Sequence, residues 1–192
     1  MNSTEAIVTQ LNGLVKGFSS NKHGDVDAIE FETDKDIVQV HFPPHTAKKV
    51  METIAVGQRA TADYATKIKP DKKPELELKS IKKDQQDNVL NVADRKPEKA
   101  TADSLIEVIK PERFTLIRDK KEEPVAILAD NKLIHLHKED KEVAAAIRPD
   151  SVLIIQAVLR TDEGFVNEQN LPVYHIKSID VDVHSFRPSK KK

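Results

Sequence analysis

The chain has 192 residues, enough for two small domains, with 38% hydrophobic and 33% charged residues. Its 31 basic and 32 acidic side chains leave a formal net charge of −1, so no global field draws in nucleic acid or an anionic membrane. Cysteine is absent, which removes disulfides, thiolate metal sites, iron–sulfur clusters and cysteine nucleophiles together.

The first ten residues, Met1 to Gln10, carry neither a basic start nor an apolar run, so no signal peptide is expected and the cytoplasm is the expected compartment. A first strand is expected from about Ile7 to Phe18, closed by the turn formers Ser19-Ser-Asn-Lys-His-Gly24. A second strand follows from Asp25 to Phe31, a hairpin turn at Thr33-Asp-Lys-Asp36, and a third strand from Ile37 to Phe42. Pro43-Pro44 ends that strand, because proline donates nothing to a ladder. Ala47, Val50, Met51 and Ile54 then mark one face of a short helix, with Thr46 a candidate cap. Two more strands are expected, from about Gln58 to Ala65 and from Glu75 to Ile81.

The second half repeats this order from about Leu105 to Val183. Val26-Asp-Ala-Ile29 matches Pro124-Val-Ala-Ile127, and His41 falls on His135. Val50 falls on Val143 after one deletion, and Leu78-Lys-Ser-Ile81 falls on Ile176-Lys-Ser-Ile179. Four matches in one order mark an internal repeat. Three strands, a short helix and two strands is the element order of the OB-fold, a small Greek-key barrel. The expected fold is therefore mainly β: two tandem five-stranded OB-like barrels, each with a short helix between strands 3 and 4. Another small β-barrel or an α+β roll has the same element order. The expected division is a first domain at 1–81, a linker at 82–103, a second domain at 104–186 and a basic tail at 187–192. Val89, Leu90 and Val92 are the linker residues able to dock on a barrel.

Centring the hairpin on Asp34-Lys35 sets Ile29 opposite Val40 and Phe31 opposite Val38. Ile29, Phe31, Val38, Val40 and Phe42 then face the interior, while Ala28, Glu30, Gln39 and His41 face outward. A β-bulge near Asp27 or Ala28 returns Val26 to the interior. In the second unit Ile127 faces Ile134, Val125 faces Leu136, and His135 is expected outside. The segment Val152 to Leu159 is apolar at nearly every position, though far short of the ~20 residues of a membrane helix. It is expected to leave Leu153, Ile155, Ala157 and Leu159 on its outer side. That row suits either a protein interface or packing on the first barrel or the linker.

Three chemistries are open. The first is single-stranded DNA or RNA bound on the outer faces of strands two and three. Gln39, His41, His135, His137, Lys22, Arg59 and Tyr64 are the candidate contacts. The second is a protein partner or self-association through Leu153, Ile155 and Leu159. The third is a metal held by His41, His45 and His23, with His135-Leu-His137 as a second pair; the two units share no common ligand set. No cofactor motif is present: P-loop, Gly-x-Gly-x-x-Gly, His-Glu-x-x-His and Gly-x-Ser-x-Gly are all missing, so the protein is expected not to be an enzyme.

Gly24-Asp-Val-Asp-Ala-Ile29 followed by Val40-His-Phe-Pro-Pro-His45 resembles a group of small bacterial OB-like proteins. These carry a Gly-Glu/Asp-Val-Asp-Gly strand and a Val-His-Phe-Pro-Pro-His step before the helix. The likeness covers about Leu14 to Tyr64. It departs at Ala28, where such sequences have Gly, and the second unit has Leu136-His-Lys-Glu139 in place of Phe-Pro-Pro-His. The resemblance implies the fold and a bacterial origin, and brings no settled function with it.

Overall fold

The computed structural model describes residues 7–68, 73–93, 96, 105–137, 140–160, 164–182 and 184–186. It is mainly β, with two sheets. The chain divides into two units, one of residues 1–98 with 162–168, the other of 99–161 with 169–192.

In the first unit the elements are β1 (Val8–Ser20), β2 (Val26–Glu32), β3 (Ile37–His41), α1 (Ala47–Thr53), β4 (Arg59–Lys67), β5 (Glu75–Lys83) and β6 (Leu90–Asn91). The hairpin turn is built by Thr33, whose N–H donates to the Asp36 carbonyl and whose Oγ1 accepts from the Asp36 N–H. It sets the expected register, Ile29 against Val40 and Phe31 against Val38. The expected bulge is present: Ser19 pairs Ala28 and Ser20 pairs Val26, so Asp27 is left over and Val26 turns inward, 6% exposed. Ile29, Phe31, Val40 and Phe42 are buried in one core with Val15, Val50, Leu78 and Ile81, and Val38 packs against it. Each such side chain contributes roughly 1.5–3 kcal/mol by leaving water. Thr46 does not cap α1 through its side chain; its Oγ1 donates to the Pro43 carbonyl at 2.7 Å and closes the 3-10 turn Pro44–Thr46.

The sheet runs β3-β2-β1-β4-β5-β6, and β3 also pairs β5 in parallel at His41 and Glu77. The expected linker is in part sheet. Lys82 and Lys83 complete β5, and β6 adds to it through Ser80–Asn91 and Ile81–Leu90. Val92 is fully buried, its N–H donating to the Lys79 carbonyl at 2.8 Å. The reason is apolar area: Leu90 and Val92 have core to cover, and beyond Val92 only Ala93 and Lys96 of the expected linker lie among the described residues. The tail at 187–192 lies outside them.

In the second unit the elements are β7 (Ile106–Ile109), β8 (Phe114–Arg118), β9 (Pro124–Ala129), β10 (Lys132–His135), α2 (Lys141–Ala146), β11 (Leu153–Leu159), β12 (Val173–Val181) and β13 (His184–Phe186). The sheet order is β7-β11-β12-β10-β9-β8, with β13 on β12. Pro111 falls in the gap between β7 and β8, where the first unit has one continuous strand.

The repeat read from the sequence reappears in the hydrogen bonding. Ala28 pairs His41 and Ala126 pairs His135. The Phe42 N–H donates to the Asp27 carbonyl, and the Leu136 N–H to the Val125 carbonyl. Lys79 is bulged out between Leu78 and Ser80, and Lys177 between Ile176 and Ser178. The Ile54 N–H closes α1 on Val50, and the Ile147 N–H closes α2 on Val143. Strand three meets strand five in parallel at His41–Glu77 and at His135–His175. Every one of these pairs keeps the offset of the sequence matches.

Candidate functional site

The parallel junction of strands three and five is the place where both units gather ionisable side chains. In the first unit a cavity of about 190 Å³ is lined by Asp27, His41, Phe42, Pro43, Lys67, Glu75 and Glu77. The β2 bulge puts Asp27 there, the end of β3 puts His41 there, and β5 supplies the two glutamates. Burial pushes the Asp27 carboxyl above its ordinary range; His41 opposes the shift, while Glu75 and Asp25 add to it. Three carboxylates against one lysine and one histidine make this an acidic recess, poorly suited to phosphate.

In the second unit the same junction holds imidazoles. His135 pairs His175 across the strands, their ring centres 6.0 Å apart and edge-on. His137 Nε2 lies 3.3 Å from His175 Nδ1. Those two ring centres are 5.4 Å apart with planes 14° from parallel. The two ring nitrogens are within hydrogen-bonding distance, the tautomer deciding which of them donates. His137 also borders a cavity of about 360 Å³ with Arg118, Glu123, Pro124, Ala144, Ala145 and Ile147.

Several expected contacts fall elsewhere. His135 is 3% exposed, not on an open outer face. The outer face of β9, β10 and β12 carries its own small apolar cluster of Ala126, Leu133 and Val173, with Ile117 and Leu171 against it. His135 shares that face with Leu133 and is buried along with it. Gln39 is exposed and donates to Ser19 Oγ at 2.6 Å, and Lys22 is exposed in the β1–β2 turn. Arg59 donates to Asn12 Oδ1 at 2.8 Å. It begins β4, six residues and thus about 20 Å along the strand from Ala65, which pairs Glu77 beside His41. Tyr64 packs against the first core.

The apolar row is also reversed. Leu153, Ile155 and Ala157 are buried in the second core at 2%, 0% and 0% exposure, and only Leu159, at 40%, is open. β11 lies between β7 and β12, and the exposed Gln156 marks its outer side. Leu153, Ile155 and Ala157, each an odd number of positions from Gln156, go inward.

Among the described residues no group of three or more His, Asp or Glu side chains is placed to hold a metal ion. His41 lies in the acidic recess, the His45 and Phe165 ring centres are 6.3 Å apart, and the His23 backbone N–H donates to Asn21 Oδ1. The sequence reading missed Asp27, Glu77 and His175 as site residues. The signal was available for the last two, because the match of Leu78 with Ile176 already aligns Glu77 with His175. No helix among the described residues is long and apolar enough to cross a membrane. No family model, no curated protein and no solved structure matches the chain.

Proposed function

We propose that the chain is a non-enzymatic protein-interaction module built from two OB-like barrels. The barrel reading is supported by the pairings β1–β2, β2–β3, β3–β5, β5–β4 and β4–β1, which return to the strand where they began. The second unit follows the same path, with β7 and β8 as the two halves of strand one. The likeness of Leu14 to Tyr64 to small bacterial OB-like proteins belongs to the same proposal.

The observation that carries the interaction reading is an apolar surface repeated in both units. Leu11 pairs Ala62 as Ile109 pairs Ile155, so Ile7 and Val8 correspond to Leu105 and Ile106. All four are exposed, at 84%, 56%, 88% and 59%. Val108, at 53%, lies on the same face of β7 as Ile106. Both units leave large aliphatic side chains open at the start of strand one. Such rows are characteristic of protein contact surfaces. Single-stranded nucleic acid fits less well. Of the six Phe and two Tyr, Phe31, Phe42 and Tyr174 are buried and the other five are only partly open, which is a poor platform for stacked bases. The outer strand two–three face of the first unit carries Glu30 and Glu32 beside Gln39.

The test pairs two measurements on the intact protein. Sedimentation velocity should show concentration-dependent association that falls at least ten-fold in Val8→Lys/Ile106→Lys. Anisotropy of labelled single-stranded DNA and RNA should stay flat at low salt. Binding that weakens steeply with salt and is lost in His41→Ala/His135→Ala would restore the nucleic-acid reading instead.

A further inference from the structure

Residues 164–168 are laid onto the first unit as a bound peptide would be. Asn167 forms an antiparallel bridge with Asp25, immediately before β2. On either side of it the Val26 N–H donates to the Val166 carbonyl at 2.9 Å, and the Glu168 N–H donates to the Gly24 carbonyl at 2.8 Å. At the other end the Lys48 N–H, in the first turn of α1, donates to the Gly164 carbonyl at 2.9 Å. Main-chain hydrogen bonds of this kind recognise an extended strand whatever its side chains.

The side chains supply selectivity position by position. Gly164 has φ +103°, and a Cβ built there runs into the His45 carbonyl, so this position admits glycine alone. The Phe165 ring meets the His45 ring at a tilt, their centres 6.3 Å apart. Val166 packs against the core formed by Val15, Ile29, Phe31 and their neighbours. Asn167 Nδ2 donates to the His23 carbonyl at 3.3 Å and approaches Asp25 Oδ1 at 3.5 Å. Gly24, at φ +78°, leaves the room that Asn167 uses: a Cβ there would lie 3.1 Å from its Nδ2.

We infer that the β1–β2 turn and the start of α1 form a strand-binding groove for a Gly-aromatic-Val-Asn segment, filled in cis by residues 164–168 and open to the same motif from another polypeptide. This surface is distinct from the exposed start of strand one, so either can fail without the other.

The probe is a fluorescein-labelled peptide of sequence Gly-Phe-Val-Asn-Glu-Gln-Asn, that of residues 164–170. In full-length Gly164→Val the cis segment cannot seat, and the peptide should bind at least ten-fold more tightly than to the wild-type chain. Val166→Asp, which leaves Gly164 in place, should behave the same way and covers the case in which the first variant does not fold. A peptide with its glycine replaced by valine should not bind either variant. In the wild-type chain excess peptide should slow hydrogen exchange at the Val26 and Lys48 amides, because the groove stays occupied whenever the cis segment lifts. Binding to neither variant, equal binding to wild type and variants, undiminished binding of the valine peptide, or unchanged exchange at both amides would each overturn the groove.

Discussion

Asp27 and His41 show how much a single residue's setting depends on one irregularity of the backbone. The bulge that leaves Asp27 without a ladder partner also tips its carboxylate into the recess beside Glu75 and Glu77. Burial raises its pKa in the folded chain, so the native state holds its proton to higher pH than the unfolded chain does. Stability from this group is therefore greatest at acid pH and falls as pH rises from the ordinary carboxylate range through the raised folded value. Asp27→Asn should remove that dependence. In urea melts the variant gains on wild type between acid and neutral pH, and a constant difference between the two proteins would count against the burial argument. Because His41 holds the shift down, His41→Ala should move the Asp27 carboxyl titration further up, read by carbon NMR. Glu107 has the opposite sign: the Lys132 ammonium at 2.8 Å and a hydrogen bond from Tyr174 hold its carboxyl below the usual range. Its contribution is present at neutral pH and is lost in acid. Half-exposed, the pair is worth no more than about 1 kcal/mol, so Glu107→Gln should cost under ~1 kcal/mol at pH 7 and nothing near pH 3.

At the scale of elements, the segment after β5 carries more than its composition advertises. Lys82 to Lys96 is dominated by charged and polar residues, yet β6 and Val92 return to the sheet and close over the first core. Val92→Ala removes two buried methyl groups and should cost about 2 kcal/mol in urea unfolding, the size expected for a core position. A change under ~0.5 kcal/mol would mean that the segment is a passive linker. The two bulges at Lys79 and Lys177 work in the same register. Each shifts the last strand by one residue against its neighbour, and so brings Glu77 and His175 to the strand-three histidine. What differs between the units is the chemistry delivered to that shared position, a carboxylate in one and an imidazole in the other.

For the whole molecule, two separate cores carry the fold. Ile81 and Ile179 occupy matched positions, each buried in its own unit and each opposite strand four, at Ala62 and Ile155. Ile81→Val and Ile179→Val should each cost about 0.5–1.5 kcal/mol. Their effects should add to within ~0.5 kcal/mol in the double variant, since the two clusters share no residue. A larger coupling measured by denaturant titration would show that the cores answer to one another. The connectivity has a second whole-molecule feature: the chain returns to the first unit at 162–168 between two strands of the second.

Local pattern was enough for the order β1 to β3, α1, β4, β5 in the first unit, the β2–β3 register, a bulge near Asp27 and the repeat. Each of these is written in short-range signals: alternation, turn formers, a proline stop, and the extra residue that alternation cannot absorb. It was not enough for the faces of β11 or for His135. A strand apolar at every position but Gln156 reads nearly the same with either face inward, and its place between β7 and β12 decides that Leu153 and Ile155 are core. His135 alternates as an outward residue should, but a second apolar cluster covers that outward face, and no short-range signal announces a cover made by residues distant in sequence. The meeting of His137 with His175, and the seating of Gly164 to Glu168 against Gly24 to Val26, join residues 38 positions apart and more than 130 apart. Such contacts are chosen by how the strands close in space, a property of the assembled sheet and not of any stretch of chain.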